Sequence, residues 1–82
     1  PPLTDMSKLV IALKMRFIHL LNANERCDQV DLLIDSCELE LTRLNDLSEP
    51  SAEKRFFQDW LSHDIKLVET RLTWLQALRE RI

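Results

Sequence analysis

The sequence predicts an all-α protein, either an antiparallel three-helix bundle or a helical hairpin with a long third helix. Three observations predict this class. Apolar residues recur at steps of three, four and seven in three runs of the chain, which is the spacing of one face of an α-helix. The sequence contains no Gly, the residue that tight turns between strands favour. Its three Pro all lie outside the periodic runs, where they do not interrupt a helix.

The length and composition bound the size of the fold. A chain of 82 residues predicts a single helical domain over residues 1–82, with helices at about 4–22, 25–47 and 51–82. An apolar content of 45% with 30% charged residues is typical of a globular protein and not of a disordered one. A domain this small buries only about two-thirds of the surface of its unfolded chain, so we expect a small core.

The first helix is predicted to start near Thr4, a good N-cap, with Asp5 favourably placed in the first turn. One apolar stripe of this helix comprises Met6, Leu9, Val10, Leu13, Phe17, Leu20 and Leu21. A second stripe, Ile11, Met15 and Ile18, lies on nearly the opposite side. A helix that is apolar on two sides either lies between two other helices or contacts another molecule. We interpret the second stripe as an oligomer interface, which predicts a homodimer.

The second helix is predicted to follow a short break at residues 22–24, with Asn24 as its N-cap. Because the link is short, helices one and two should be antiparallel neighbours. The expected core stripe comprises Val30, Leu33, Ile34, Cys37, Leu41 and Leu44. Leu32 and Leu39 lie on the far side among acidic residues. They are candidate partner-binding residues, although isolated exposed leucines are also common on ordinary surfaces.

The third helix follows the clearest break, in which Pro50 disfavours helix at the preceding residue and Ser51 can act as the N-cap. Its main apolar stripe comprises Phe57, Leu61, Ile65, Val68, Leu72, Leu75 and Ile82. Trp60, Leu67 and Trp74 form a second stripe with a spacing of seven residues. This stripe either packs against a neighbouring helix of the same bundle or forms the edge of a groove for a partner helix, with Trp as the anchor.

The net charge of −3 is unevenly distributed along the chain. Residues 1–24 carry three basic residues and one acidic residue, whereas residues 25–49 carry two basic and eight acidic residues. An acidic middle helix disfavours nucleic acid as a partner, because binding to phosphates requires a basic face. The apolar run from Leu9 to Leu21 is too short and too charged to cross a bilayer. These features predict a cytoplasmic protein that binds neither nucleic acid nor membrane.

We find no residue set that predicts catalysis, a metal site or a cofactor. His19 and His63 lie on different predicted helices and are not grouped with other ligands. Cys27 and Cys37 are ten residues apart, about 15 Å along one helix, which is too far for a disulfide. They are interpreted as small hydrophobic residues in a reducing cytosol. The sequence therefore predicts a protein that binds another protein and is not an enzyme.

Two stretches of the chain resemble the FliT-type flagellar type III export chaperones. These are LLNANERCDQVDLLIDSCELELTRL and, after the Pro-containing break, WLSHDIKLVETRLTWLQAL, so the resemblance covers about residues 20–78. Chaperones of this family are small cytosolic helical proteins with a long acidic second helix. The pattern of the following helix is matched here by Leu61, Asp64, Ile65, Val68, Arg71, Leu72 and Leu75.

The resemblance implies a chaperone of bacterial flagellum biogenesis that holds an amphipathic segment of a secreted subunit, the filament-cap protein, before type III secretion. The implied binding surface is a hydrophobic groove on the second and third helices. The alternative is a structural or regulatory helical homo-oligomer with no export role. In that case the second apolar stripes are its own subunit interface.

Overall fold

The computed structural model describes residues 3–48 and 52–82, which form three α-helices and two short 3₁₀ turns. Those residues contain no strand, and the third helix is the longest, so the predicted all-α class is confirmed. The break predicted at 48–51 lies largely outside the described residues, as does the proposed cap Ser51. The elements are α1 (Leu3–Phe17), a 3₁₀ turn (Ile18–Leu20), α2 (Ala23–Asp46), a 3₁₀ turn (Ala52–Lys54) and α3 (Arg55–Arg81).

The first residues of α2 are stabilised by a capping box between Asn22 and Glu25. The Asn22 side chain accepts a hydrogen bond from the Glu25 N–H at 2.9 Å, and the Asn22 N–H donates to Glu25 Oε1 at 3.1 Å. The prediction of Asn24 as the N-cap was wrong, because only Asn22 has a carboxylate three residues later that can complete the box. Thr4 is not the cap of α1 either, since that helix already begins at Leu3.

The core is a narrow seam between α2 and α3, which together form a helical hairpin. The buried residues of each helix recur mainly at intervals of seven, as in a coiled coil. The half-buried residues Ile34, Leu41, Ile65 and Leu72 pack along the edges of the seam. The buried side chains are Val30, Leu33, Cys37 and Leu44 on α2, and Leu61, Val68 and Leu75 on α3.

The orientation of α1 corrects the interface prediction. Ile11 and Met15 pack against the hairpin core and, like Ile18, are half-buried. The stripe expected at a dimer interface is therefore the one that docks α1 within its own chain. Five residues of the wider stripe are exposed: Leu9, Val10, Leu13, Phe17 and Leu20. Because α1 contributes only a few half-buried side chains to the seam, most of the large apolar side chains of residues 8–20 are exposed.

The molecule is elongated, because the hairpin extends beyond the shorter α1. A helix of 27 residues such as α3 is about 40 Å long, whereas the 15 residues of α1 span about 22 Å. The extents of the Cα trace are 51 × 24 × 14 Å, and its radius of gyration is 15.0 Å. A compact chain of this length would have a radius of gyration of about 12 Å.

The described helices include none that is long and apolar enough to cross a membrane. Cys27 and Cys37 are both free thiols, which confirms that they do not form a disulfide.

Candidate protein-binding surface

More large hydrophobic side chains are exposed than buried in the described part of the chain. Seven hydrophobic residues form the buried core, whereas thirteen large ones are exposed. The total accessible surface is 6329 Å², and a compact monomer of this mass would expose about 5,100 Å². The difference of roughly 1,200 Å² exceeds the approximately 800 Å² that each partner buries in a standard protein interface. The molecule therefore exposes enough additional surface for a stable protein contact.

The first exposed surface is the outward stripe of α1, which we call the α1 stripe: Leu9, Leu13, Phe17 and Leu20. Their exposed fractions are 61%, 50%, 53% and 71%. The helix around this stripe is basic. Residues 8–20 contain Lys8, Lys14 and Arg16 and no acidic residue. The α1 stripe is therefore an apolar surface with a positive border.

The second exposed surface contains the residues that the sequence marked for partner binding. On α3, Trp60, Leu67 and Trp74 are 57%, 53% and 46% exposed. On α2, Leu32 and Leu39 are 56% and 72% exposed. None of the five belongs to the buried core, so the spacing of seven on α3 here marks an outward stripe and not a second core face.

We call the exposed side chains Leu39 on α2 and Trp60 and Leu67 on α3 the hairpin face. The pKa of Arg43 is raised, first by its hydrogen bond to Glu40 and to a smaller extent by the charge of Asp64 on α3. Trp60 and Leu67 are seven residues apart on α3 and therefore share one face of that helix. Leu39 is on the exposed outer surface of α2.

The end of the hairpin next to the α2–α3 connection carries a further group of exposed aromatic rings. Phe56 is 76% exposed and Phe57 is 42% exposed. The ring centroids of Phe57 and Trp60 are 6.2 Å apart, and the Arg55 guanidinium lies 4.7 Å from the centre of the Phe56 ring. These rings add exposed apolar surface at this end of the hairpin. The sequence placed Phe57 on the main apolar stripe of the third helix, whereas the structure leaves it exposed, because it lies at the end of the hairpin beyond the buried Leu61.

Polar contacts set the position of α1 relative to the hairpin. Arg26 of α2 donates from Nε to the Ile18 carbonyl and from Nη2 to the His19 carbonyl, both at 3.2 Å. Lys14 Nζ donates to Gln29 Oε1 at 2.6 Å. The two carbonyls belong to the 3₁₀ turn, and the Ile18 carbonyl also accepts from the Leu21 N–H at 3.1 Å. Arg26 was not among the candidate residues from the sequence, because its role depends on a turn that only the fold creates.

The described side chains offer little that predicts chemistry. They contain no group of three or more His, Cys, Asp or Glu residues that could hold a metal ion. Burial raises the pKa of the Cys37 thiol against the smaller opposing effect of Arg71, which disfavours the reactive thiolate. A depression of about 590 Å³ on the polar back of α3, next to Trp74, is shallow and open to solvent. The prominent feature of the surface is thus its exposed apolar area.

The fold and this surface define a small helical protein with an open apolar face. Residues 1–79 match the family described as "Putative AphA-like transcriptional regulator", and the chain belongs to that family. No curated protein matches the chain.

Proposed function

We propose that this chain is a cytoplasmic self-association module of a transcriptional regulator and that it acts by binding protein and not by catalysis. Two copies form a homodimer that buries the apolar surface exposed by each copy alone. The observation that carries the proposal is the surface excess of roughly 1,200 Å² relative to a compact monomer. It is accompanied by thirteen exposed large hydrophobic side chains.

The family supports self-association as the role of such a surface. Regulators with helical DNA-binding elements commonly bind as dimers to two half-sites of an operator, so they need a region that joins two copies. The strongly acidic α2 argues against contact between these 82 residues and the DNA backbone. The proposed role is therefore to hold two copies together, with the α1 stripe and the hairpin face as the contact surfaces.

Sedimentation equilibrium over a micromolar concentration range tests the proposal. We expect a species of twice the chain mass of 9.7 kDa. Leu13→Glu places a charge in the α1 stripe and should weaken association by about 30-fold or more, the effect of losing a hot-spot contact of about 2 kcal/mol. Thr73→Glu adds the same charge to the exposed polar back of α3 and should leave the association constant unchanged. A chain that stays monomeric throughout would contradict the proposal.

A second candidate function is a chaperone or adaptor that holds an amphipathic helix of another protein, as the resemblance to flagellar export chaperones implies. The observation that favours it is the exposure of Leu39 on α2 and of Trp60 and Leu67 on α3. An apolar strip on two adjacent helices fits the apolar side of a third helix. Leu32 and Trp74, also about half exposed, would extend the same contact towards the free end of α3.

The two candidates differ in the state of the chain without a partner. A chaperone would be monomeric at micromolar concentration and would bind an amphipathic helical segment of the filament-cap protein. Trp60→Ala should then weaken that binding, with little change in helix content. A tight homodimer that excludes such a peptide would favour the self-association module.

A further inference from the structure

We propose that the α3 helices of two copies pair with each other, antiparallel, about a two-fold axis at Leu67. This inference rests on the proposed self-association and specifies its geometry. The contact surface is an apolar stripe along nearly the whole length of α3, which includes both α3 residues of the hairpin face. We call it the α3 stripe: Phe56, Trp60, Leu67, Trp74 and Leu78. All are exposed except the half-buried Leu78, and at 100° per residue all lie within about 20° of Leu67 around the helix.

The spacing of the α3 stripe is symmetric about Leu67. Trp60 and Trp74 are each seven residues from Leu67, and Phe56 and Leu78 are each eleven residues from it. In a two-fold contact residue i of one copy meets residue j of the other, and j meets i. Antiparallel pairing centred on Leu67 therefore places each Trp60 against Trp74 of the other copy and each Phe56 against Leu78, over about 33 Å of helix. Both Trp residues, the usual anchors of an interface, are covered in this way.

One edge of the α3 stripe carries two opposite charges with the same symmetry. Asp64 and Arg71 are half-buried and lie about 60° and 40° from Leu67 on the same edge. Neither forms a hydrogen bond or a salt bridge with another of the described residues. Asp64 is three residues before Leu67 and Arg71 is four after it. Antiparallel pairing therefore brings Asp64 of each copy beside Arg71 of the other, about 1.5 Å apart along the helix axis, and adds two complementary charge contacts.

The other edge of the α3 stripe explains why the direction is antiparallel. It carries His63 and Thr70, about 40° and 60° from Leu67. In the antiparallel pair these two residues lie beside each other and no like charges meet. A parallel pair would instead place Asp64 and Arg71 beside this edge of the second copy, so both charge contacts would be lost. Charges that flank an apolar seam set the direction of paired helices in the same way in coiled coils.

The same pairing brings α1 close to the second copy. Lys14 of α1 bonds to Gln29 of α2, and Arg79 of α3 bonds to Asp31 of α2 at 2.8 Å, so α1 lies next to the C-terminal half of α3. In the antiparallel pair this half meets the N-terminal half of the other α3, which carries the exposed Phe rings. The α1 stripe of one copy therefore lies at the same end of the dimer as the aromatic rings of the other. Such a two-fold interface is closed and does not propagate into filaments.

Complementary charge reversals test the pairing in sedimentation equilibrium. Asp64→Arg and Arg71→Asp should each weaken self-association by at least about tenfold, because each places like charges opposite each other twice. An equimolar mixture of the two variants should associate about as tightly as the wild type, since every reversed residue then meets its opposite in the other chain. Glu69→Arg and Lys66→Asp, on the exposed back of α3, are the matched controls and should have no effect.

The mixture also separates a contact between copies from damage to the fold. A variant that is weak because it is destabilised would stay weak when it is mixed with the other. Wild-type association of both single variants, or a mixture no tighter than the separate variants, would overturn the inference but leave the proposed function intact. A wild-type chain that is monomeric throughout would refute the self-association itself.

Site-specific cross-linking provides a second measurement, which does not depend on affinity changes. The background carries Cys27→Ser and Cys37→Ala and must retain the helix content and association of the wild type. A tagged Phe56→Cys chain should link to an untagged Leu78→Cys chain through a short bismaleimide at least about tenfold faster than to a Thr73→Cys chain, since an interface holds reactive groups at high effective concentration. The two Phe56 positions lie about 33 Å apart in the antiparallel pair, so predominant linkage between two Phe56→Cys chains would overturn the inference.

Discussion

The guanidinium of Arg26 donates from Nε to the main-chain carbonyl of Ile18 at 3.2 Å. The bond links the first turns of α2 to the end of the segment that contains α1. A second bond from Nη2 to the adjacent His19 carbonyl fixes the plane of the guanidinium. Because α1 contributes only a few half-buried side chains to the core, these bonds are a large part of what sets its direction. That direction decides which stripe of α1 faces outward.

Arg26→Ala should loosen α1 without unfolding the α2–α3 hairpin. The substitution removes donors from two carbonyls, and a charge-assisted hydrogen bond contributes about 1.5–3 kcal/mol. We expect faster amide hydrogen exchange in residues 9–20 and unchanged exchange at the buried seam, measured by mass spectrometry. Arg43→Ala removes a guanidinium whose hydrogen bonds, among the described residues, go to Glu40 of its own helix, and it is the matched control. Equal exchange of α1 in both variants would contradict the role of Arg26.

Leu75 and Leu67 lie on the same helix but should have different effects when truncated. Truncation of Leu75 should lower folding stability, whereas truncation of Leu67 should weaken association. Leu75 is 0% exposed and Leu67 is 53% exposed. Leu75→Ala should lower the free energy of unfolding by about 2–5 kcal/mol, a large part of the 4–12 kcal/mol that roughly 0.05–0.15 kcal/mol per residue gives a chain of this size. Leu67→Ala should cost less than about 1 kcal/mol in the monomer but weaken association.

Urea titration of the dilute monomer, followed by circular dichroism, measures the first effect, and sedimentation measures the second. Equal destabilisation by both substitutions would show that Leu67 contributes to the core.

The periodicity of the sequence was sufficient to predict the helices but not the orientation of α1. Residues 55–81 carry a continuous apolar pattern without Gly or Pro, so a long α3 follows directly from the spacing. Both stripes of α1 also satisfy helical periodicity. Which stripe faces the hairpin depends on the 3₁₀ turn that Arg26 holds through hydrogen bonds to backbone carbonyls. The spacing of apolar residues does not encode such a contact. The sequence alone therefore assigned Ile11 and Met15 to the wrong environment.

The surface of α3 illustrates a second limit of the sequence. Trp60, Leu67 and Trp74 have the same spacing of seven as the buried Leu61, Val68 and Leu75. Each set fits a seam between two helices, and large aromatic residues are usually more buried than exposed. Which set is buried depends on how many helices pack against α3. Here α2 supplies nearly all of the packing, so the stripe of Trp residues stays outside the core.

The two cysteines should differ in reactivity. Cys37 is buried and Cys27 is half-buried, and burial raises the pKa of the Cys37 thiol. Because alkylation requires an accessible thiolate, iodoacetamide should label Cys27 well before Cys37 in the native chain. Peptide mapping by mass spectrometry measures both rates, and the urea-unfolded chain, in which both sites are accessible, is the control. Labelling of Cys37 first would contradict the packing of the seam.

The raised pKa of Cys37 also predicts how stability depends on pH. The folded chain holds the thiol proton more tightly than the unfolded chain, so the contribution to stability is fully present below the unfolded pKa. It is lost as the pH rises from the ordinary thiol pKa through the raised one, because the unfolded state then releases its proton first. The urea midpoint should fall as the pH rises over this alkaline range. The slope of this fall with pH should be smaller for Cys37→Ala than for Cys27→Ala. An unchanged slope would contradict the effect of burial.

The two tryptophans report directly on the proposed contact surfaces. Trp60 and Trp74 are 57% and 46% exposed, so the monomer should show red-shifted emission that acrylamide quenches efficiently. Leu13→Glu provides a monomer at concentrations at which the wild type associates. Trp60→Phe and Trp74→Phe each leave one reporter. The Trp60 signal, from the hairpin face, should shift to the blue and lose quencher access on association, since burial of an aromatic anchor removes its contact with water. A blue-shifted, protected signal from Trp60 in the monomer would instead place that ring in the core.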